Sequence, residues 1–292
     1  MSCKIPAVSV IVPAYNAEKF LRQCLDSLIY QTLRNIEIIV VNDGSTDLTK
    51  LIANEYARKD TRIRIINQEN KGLGAARNAG LKAAKGIYVS FIDSDDWVAK
   101  DFLSKLYQCA KYYNADITMS NLIRAIPNNG GFRYRYFVEV TKSLCTSDTL
   151  AKYRIADVPR SNYIVNKLYK RDSLIQNDMY FEEGRLFEDI EWSTKVIAKL
   201  SILATVADAN YYYRYNDISL MIGDSERGYR DYHIAQQKAL MFRHSLDLPI
   251  EHVEYYEWSS KVTYKLLGLP LITIEDYRGK KLYYIFGKLK VN

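Results

Sequence analysis

The chain has 292 residues, of which 48% are hydrophobic, so it can bury a sizeable core and bulk disorder is excluded. Lys and Arg number 41 against 34 Asp and Glu, and the net charge of +7 suits an anionic partner such as phosphate or an anionic membrane without identifying one. The four cysteines lack paired spacing and predict reduced thiols of a cytosolic protein, with no zinc site. Neither a signal peptide nor a transmembrane helix is expected, because the sequence starts without an apolar segment and contains no apolar run of about 18 residues.

The first half of the chain alternates predicted strands with predicted helices. Short apolar runs bounded by turn residues predict buried strands at residues 8–13, 36–41, 62–67 and 89–92. Apolar spacing, capping residues or a glycine-led start predict helices at about residues 20–29, 46–59, 72–80 and 99–113. Repeated alternation of this kind is typical of an α/β fold with a parallel sheet and right-handed crossovers.

The second half is less regular. A strand is predicted at residues 117–123, and the turn sequence Asn128–Gly131 predicts a hairpin that returns through residues 132–140. A helix is predicted to begin near Glu188, and the aromatic run at residues 211–215 indicates a late strand.

An acidic cluster closes the fourth predicted strand, where Asp93, Asp95 and Asp96 follow the apolar run. In open α/β sheets, ligands bind at the carboxyl ends of the strands. Asp93 and Asp95 stand two positions apart, a spacing that can aim both carboxylates at one hard cation whose shell is completed by water and substrate phosphate. The alternative is an Asp/Ser turn with solvated charges.

Polar residues also end the other strands: Asn16 follows the first, Asp43 the second, and Lys71 with Arg77 the third. With these residues the sequence resembles the family 2 glycosyltransferases. The matching motifs are Val12–Asn16, Val41–Asp47, Asn70–Gly72 with Ala76–Asn78, Asp93–Asp96, Asn166–Tyr169, Glu188–Asp189 and Tyr212–Arg214. The resemblance rests on all of these motifs occurring in order over most of the chain.

The resemblance implies the GT-A fold, a Rossmann-like, mostly parallel sheet flanked by helices. It implies a glycosyltransferase domain over residues 1–220, with a nucleotide-sugar half at about residues 1–125 and an acceptor half at about residues 126–220. Residues 221–292 are expected to form a mainly helical C-terminal extension.

The resemblance also implies which residues hold the donor. Those expected to contact the nucleotide-sugar are Pro13, Ala14, Tyr15, Asn16, Asp43, Ser45, Lys71, Gly72, Arg77, Asp93, Ser94 and Arg214. Asp43 would accept the imide N–H of the base, which favours uracil because a charge-assisted hydrogen bond is the stronger kind. Two alternatives stay open: Lys71 and Arg77 as solvated charges at a helix start, and Arg214 as a side chain whose stem packs across tyrosines.

The same resemblance implies the ligands of a metal ion and the general base of the reaction. Asp95, with Asp93, is expected to ligate Mn²⁺ or Mg²⁺, and Asp189 to act as the general base that deprotonates an acceptor hydroxyl. Acidic residues in the first turn of a helix are also favoured by the helix dipole without catalytic duty, and Glu183 and Glu191 compete for the role of base.

The implied function is that of an inverting, metal-dependent hexosyltransferase, which moves a sugar from a nucleotide-sugar, expected to be a UDP-sugar, to a hydroxyl of a glycan or lipid-linked glycan in surface polysaccharide biosynthesis. A nucleotidyltransferase is disfavoured because the loop at residues 13–16 is not a glycine-rich basic loop. A basic nucleic-acid-binding protein is disfavoured because the basic residues are dispersed and no binding module is evident.

The C-terminal part is predicted to contain helices at about residues 226–246 and 250–267, beyond a soft boundary near residue 220. The tail at residues 277–292 mixes lysines with aromatic residues. It predicts either peripheral contact with the inner face of an anionic membrane or a final helix with a solvated basic face. A cytoplasmic protein is expected, with peripheral membrane association as the first of these two alternatives.

Overall fold

The computed structural model describes residues 5–156, 162–215 and 226–246, together with the backbone of four strands between residues 260 and 290. The described helices are α1 (Leu21–Ile29), α2 (Thr49–Lys59), α3 (Leu73–Ala83), α4 (Phe102–Tyr113), α5 (Thr149–Ile155), α6 (Arg171–Gln176), α7 (Glu188–Lys199) and α8 (Glu226–His244). The strands up to residue 214 are β1 (Val8–Ala14), β2 (Ile36–Asp43), β3 (Ile63–Gln68), β4 (Tyr88–Phe91), β5 (Trp97–Val98), β6 (Ile117–Asn128), β7 (Gly131–Val138), β8 (Leu144–Thr146), β9 (Lys167–Lys170) and β10 (Leu203–Arg214).

These ten strands, within the described residues, form one mixed sheet. Its neighbours run in the order β3-β2-β1-β4-β9-β6-β10-β5, while β7 pairs with β6 and β8 with β10. β1 is parallel to β2 and β4, β2 to β3, and β6 to β10. β5, β7, β8 and β9 pair antiparallel with their neighbours, and all of these except β5 follow the parallel first half of the chain. The predicted α/β class with a mostly parallel sheet is confirmed.

The core forms where apolar runs and helical faces meet. Every residue of β1 and β4 is buried, as expected of parallel strands covered by helices. Helix α1 buries Leu21, Cys24, Leu25 and Leu28, the i, i+3, i+4, i+7 spacing of one helical face. Because β1 is parallel to β2 and β4, the carboxyl ends of these three strands meet at one edge of the sheet.

An aromatic cluster joins β4, β9 and α7. Trp192 of α7 stacks on Phe181 at 4.4 Å between ring centroids, and it meets Phe91 of β4 edge-on at 5.8 Å and Tyr169 of β9 at 5.1 Å. All four rings are buried. Aromatic pairs contribute about 0.5–1.5 kcal/mol beyond the area they bury. The cluster therefore fixes α7 against the strand that leads into the acidic loop.

The predicted hairpin is confirmed, although its first strand is longer than expected. β6 and β7 pair antiparallel with Asn128 opposite Gly131. The two turn residues, Asn129 and Gly130, both have positive φ, at 42° and 82°, as a two-residue hairpin with right-handed strand twist requires. The hairpin brings the aromatic residues of β7 beside β6.

The C-terminal extension is only partly helical. Helix α8 confirms the first predicted helix, but the second is wrong over residues 260–266, which form a strand. That strand, β11 (Ser260–Leu266), joins β12 (Leu269–Tyr277), β13 (Lys280–Ile285) and β14 (Lys288–Lys290) in an antiparallel sheet. The predicted final helix in the tail is likewise wrong over β13 and β14.

Residue type explains this correction. Runs such as Val262–Tyr264 and Ile272–Ile274 are β-branched and aromatic, and each two-residue stretch between successive strands ends in glycine. Helical apolar spacing was the weaker signal here. The boundary predicted near residue 220 lies outside the described residues, whereas contacts divide the chain into compact units at residues 1–242 and 243–292. Among the described helices, none is both long and apolar enough to cross a membrane.

Candidate functional site

The polar residues that follow the parallel strands come together at the carboxyl edge of the sheet. Ala14 of β1 lies opposite Asn42 of β2, and Ile11 lies opposite Phe91 of β4. Asn16, Asp43 and Asp93 all come within two or three residues of these paired positions, so this edge is the expected ligand-binding edge of an α/β sheet.

Asp43 organises the loop that opens α3. Its buried carboxylate accepts hydrogen bonds from Gln68 Nε2 at 2.7 Å and from the backbone N–H groups of Lys71 and Gly72, both at 2.9 Å. A carboxylate offers about four lone-pair sites, so three of them are taken and one remains for a ligand. The Lys71 side chain is exposed beside it.

The loop after β1 is tied to the loop after β2. Asn16, with φ of 49°, accepts a hydrogen bond from the Thr46 N–H at 2.9 Å and donates its own N–H to Ser45 Oγ at 3.1 Å. Ser45 therefore links the loop after β2 to the loop after β1 through this hydrogen bond. Pro13 and Ala14 are buried, while Tyr15 is 51% exposed and can lay its ring against a planar base.

Two residues of β10, Tyr211 and Arg214, hold the acidic loop in shape. The sequence did not predict that they would contact this loop together. The Tyr211 hydroxyl donates to Asp96 Oδ2 at 2.6 Å and accepts the Asp93 backbone N–H at 3.2 Å. The Arg214 backbone N–H donates to Asp96 Oδ1 at 2.8 Å. Asp96 is buried, and desolvation together with Asp95 and Asp93 raises the pKa of Asp96 well above its usual range. Asp96 thus points into the protein, while Asp93, Ser94 and Asp95 are half-buried.

Arg214 lies behind the acidic loop rather than open to solvent. Its guanidinium carbon is 4.7 Å from the Trp97 ring centroid, 4.8 Å from Phe20 and 5.2 Å from Phe132. Its Nε donates to the Asp95 carbonyl at 2.7 Å. Cation–π contacts of this kind hold a guanidinium in place. The described contacts of Arg214 therefore favour its packing role, and its contact with a diphosphate stays a prediction.

Arg77 is the buried cation of the site. Its Nη2 donates to Asp93 Oδ1 at 2.9 Å, its Nη1 pairs with Glu188 Oε1, and the Phe181 ring lies 5.4 Å from its guanidinium carbon. Burial lowers the pKa of Arg77, but Asp93, Glu188 and Asp189 raise it by more, so the side chain stays charged. The solvated alternative for Arg77 is wrong, because both Nη groups are engaged inside the protein.

Asp189 reaches the same cluster from the first turn of α7. Phe187, with φ of 60°, precedes that helix, and Glu188 beside it binds Arg77. Desolvation and the negative charges of Glu188 and Asp93 raise the pKa of Asp189 to about 7, against the opposing effect of Arg77. A carboxyl group poised near neutral pH is suited to accept a proton.

The competing carboxylates have other partners. Glu183 accepts a hydrogen bond from Asn78 Nδ2 at 3.0 Å and is exposed. Glu191 pairs with Lys195 at 2.5 Å and with Lys238 at 3.5 Å. Both groups thus have partners outside the set of residues that contact Arg77.

The acidic loop fits a metal that arrives with its ligand. Among the described residues, no three His, Cys, Asp or Glu side chains converge as a complete metal cage. Desolvation and the neighbouring Asp93 raise the pKa of Asp95 to about 6, against the opposing effects of a backbone hydrogen bond and of Arg214. Mg²⁺ and Mn²⁺ commonly take one or two carboxylates and complete their shells with water and substrate phosphate. The residues present fit that pattern.

Comparisons with known proteins identify the family of the chain. A family model described as "Glycosyl transferase family 2" matches residues 9–176. The chain is 39% identical over 220 residues to "Glycosyltransferase GlyA" of Streptococcus pneumoniae, which covers 73% of this chain and 31% of GlyA. It is 36% identical over 221 residues to "Uncharacterized glycosyltransferase EpsJ" of Bacillus subtilis, which covers 74% of this chain and 63% of EpsJ.

A solved structure matches as well. The crystal structure of S. aureus TarS in complex with UDP-GlcNAc has a TM-score of 0.67 and 28% identity, and the match covers 79% of this chain and 66% of the TarS chain. The chain spans less than two thirds of the length of GlyA and of EpsJ.

The buried ion pairs of Arg77 allow a test of stability. Replacing Arg77 by Met leaves Glu188 and Asp93 without their cation, so the free energy of unfolding should fall by about 3–5 kcal/mol. The matched control is Arg22→Met, because Arg22 pairs with Glu55 at 2.8 Å while 52% of its side chain is exposed, and it should change stability little. Urea denaturation of both variants measures the difference, and equal losses would contradict the bridging role of Arg77.

Proposed function

The chain belongs to glycosyl transferase family 2, and we propose that it is an inverting, metal-dependent enzyme that transfers a sugar from a UDP-sugar to a hydroxyl of a glycan or lipid-linked glycan. The predicted family and its GT-A fold are confirmed. The proposal rests chiefly on one observation: Arg77 brings the acidic loop and the candidate base into one cluster, through Asp93 on one side and Glu188 on the other.

Donor recognition is proposed for the edge formed by the first two strands. Asp43 retains one acceptor site, which suits the imide N–H of uracil, and the exposed Tyr15 ring suits stacking on the base. The complex of TarS with UDP-GlcNAc, a relative of the same fold, supports a uridine nucleotide as the donor's leaving group.

Asp95, assisted by Asp93, is proposed to hold Mn²⁺ or Mg²⁺. A divalent ion there would offset the negative charge that develops on the departing nucleoside diphosphate. The protein's own part is to keep the loop rigid, which the buried Asp96 does through Tyr211 and the Arg214 backbone.

Asp189 is proposed to accept the proton of the attacking hydroxyl. A hydroxyl is a poor nucleophile at neutral pH, so a positioned base is needed as it attacks the anomeric carbon. Inversion requires the base and the leaving group to lie on opposite faces of the sugar. Arg77 pairs with Asp93 of the acidic loop through one Nη group and with Glu188 of α7 through the other. Asp189 follows Glu188 on α7 and so is separated from the acidic loop by Arg77, which supports this division of roles.

The wider setting is also a proposal. The nucleotide-sugar half is proposed at about residues 1–125 and the acceptor half at about residues 126–220, for surface polysaccharide biosynthesis on the cytoplasmic side of a membrane. Lysines of β13 and β14 would supply peripheral contact with anionic lipid. Each Lys near such a surface contributes about 1 kcal/mol.

Metal dependence can be measured on donor binding. Removal of the divalent ion by chelation and the change Asp95→Asn should each weaken UDP binding about tenfold or more, because the diphosphate charge loses its partner. Titration calorimetry with UDP measures both effects. Asp172→Asn, at a side chain 71% exposed on α6, is the matched control and should bind UDP normally. Equal affinity with and without metal would remove Asp95 from this role.

Base selectivity tests Asp43. Asp43→Ala should weaken UDP binding by about 1–3 kcal/mol, the range for losing a hydrogen bond to a charged partner. Because Asp43 also holds the loop at Lys71 and Gly72, the informative quantity is the ratio of UDP to ADP affinity. That ratio should fall if Asp43 reads the base. An unchanged ratio with weaker binding of both nucleotides would assign Asp43 to loop support alone.

Turnover tests Asp189. The change Asp189→Asn should leave UDP and metal binding intact and reduce kcat by about 100-fold or more, the scale of losing a general base. Glu183→Gln and Glu191→Gln are the matched controls and should stay near the parent rate. The product of the parent enzyme should have the inverted anomeric configuration by NMR. A dead Glu191→Gln beside an active Asp189→Asn would transfer the role.

The assignment of Asp189 as the base also predicts the direction in which turnover changes with pH. The base works only when ionised, and the pKa of Asp189 is raised to about 7 by desolvation, Glu188 and Asp93, with Arg77 opposing. Turnover should therefore rise with pH through about 7 and fall to roughly one tenth at one pH unit below it. A rate that is flat across this range would contradict the assignment.

A further inference from the structure

One face of the β7-β6-β10-β5 part of the sheet carries a continuous row of aromatic side chains. We name it the aromatic face, and its members are Trp97, Phe132, Tyr134, Tyr136 and Tyr212. Trp97 and Tyr212 stack at 5.5 Å with 15° between their planes, and Tyr134 lies 5.5 Å from Tyr212. Phe132 lies 4.9 Å from Trp97 and 6.3 Å from Tyr134. The rings of Trp97, Phe132, Tyr134 and Tyr212 thus form one connected platform.

The strand register places these side chains together. Tyr136 and Tyr212 both lie opposite Ile123 of β6, and Trp97 lies opposite Tyr212. Tyr134 lies opposite Ala125, two residues further along β6. Alternate residues of a strand point to the same side, so Tyr134, Tyr136 and Tyr212 lie on one face of the sheet.

The platform borders a cavity of about 290 Å³. Ile123, Tyr134, Tyr136, Asn210 and Tyr212 line it. Tyr134 is 54% exposed and Tyr136 is 50% exposed, although aromatic rings usually bury more of their surface. The volume lies just below the range of about 300–1,000 Å³ seen for small-molecule sites. Exposed aromatic surface beside a cavity of this size marks a binding surface.

The side-chain amide of Asn210, which lines the cavity, is held in one orientation by hydrogen bonds. Asn121 Nδ2 donates to Asn210 Oδ1 at 2.9 Å, and Asn121 Oδ1 accepts the Val140 N–H at 2.7 Å. This chain of bonds fixes the Asn210 amide with its NH₂ group left to donate. Aromatic faces beside an amide and phenol hydroxyls match a sugar ring, whose C–H groups pack on the negative face of a ring while its hydroxyls seek hydrogen bonds.

The aromatic face is continuous with the acidic loop. Trp97 and Phe132 both pack on Arg214, at 4.7 and 5.2 Å, and Arg214 Nε donates to the Asp95 carbonyl. A ligand on the platform therefore lies beside the proposed donor site.

We propose that the aromatic face and its cavity form a carbohydrate subsite, which holds a sugar unit of the acceptor glycan. This inference rests on the proposed glycosyltransferase function and names the chemistry that reads the acceptor. It differs from the base-stacking surface of a nucleic-acid-binding protein, because Arg133 and Arg135 alternate with the aromatic residues of β7 and so lie on the opposite side of that strand. Arg214, which packs on Trp97 and Phe132, donates to the Asp95 carbonyl and to Gln23 Oε1, so it is engaged within the protein and does not form a track of cations for phosphates.

The test uses single substitutions on the full chain. Tyr134→Ala and Tyr136→Ala remove one ring each from half-exposed positions, and Tyr134→Phe keeps the ring. Tyr112→Ala, at a side chain 82% exposed on α4, is the matched control. Saturation-transfer NMR with the methyl glycosides of glucose, galactose and N-acetylglucosamine measures sugar binding, and calorimetry with UDP measures donor binding in the same samples.

The subsite predicts that sugar affinity falls about tenfold in both alanine variants, a change equivalent to about 1.4 kcal/mol. Tyr112→Ala should keep the parent's sugar affinity, Tyr134→Phe should lose less affinity than Tyr134→Ala because it keeps the ring, and UDP binding should be unchanged in all four variants. Sugar affinity that is equal in parent and alanine variants, or undetectable in the parent, overturns the subsite. A parent that fails to bind UDP yet binds sugars in a Tyr134-dependent manner refutes the donor proposal and supports the subsite, so the two failures are distinguishable.

Discussion

The arrangement of the site depends on one buried cation. Arg77 lies between Asp93 of the acidic loop and Glu188 of α7, and its guanidinium is 4% exposed. A charge removed from water is costly unless paired, so each carboxylate must stay where Arg77 can reach it. The stacked Phe181 and Trp192 exclude water on one side of this pair. Because Asp189 follows Glu188 directly, the same constraint places the candidate base.

Helix α3 supplies more than that cation. Gly74 is packed so closely that a Cβ there would lie 2.5 Å from the Glu182 carbonyl, and Asn78 exchanges hydrogen bonds with the Phe181 backbone at 2.8 and 2.9 Å. A helix that starts beside Asp43 is thereby fastened along its length to the segment that leads into α7. The glycine-rich run between residues 72 and 80, which lacks the dinucleotide-binding spacing, has a packing role here.

The parallel half was predictable because its signals are local. An apolar run, a turn residue and a polar side chain at a strand end all lie within ten residues, and the strand ends of a parallel sheet must share an edge. The rest depends on partners far apart in the chain: Arg77 and Glu188 are separated by 111 positions, and Asp96 and Tyr211 by 115. Periodicity says nothing about such pairs. It also misled over residues 260–266, where residue type favours a strand.

Charge distribution in the site differs from that of the whole chain. The chain carries +7, yet the cluster around the acidic loop and the start of α7 has five carboxyl groups (Asp93, Asp95, Asp96, Glu188 and Asp189) against the two guanidinium groups of Arg77 and Arg214. The pKa values of Asp95 and Asp189, raised to about 6 and about 7, reflect this excess of negative groups together with desolvation. A diphosphate that entered alone would add further negative charge at short range, where a low dielectric strengthens repulsion. The local electrostatics therefore support the proposal that the donor enters together with a divalent cation.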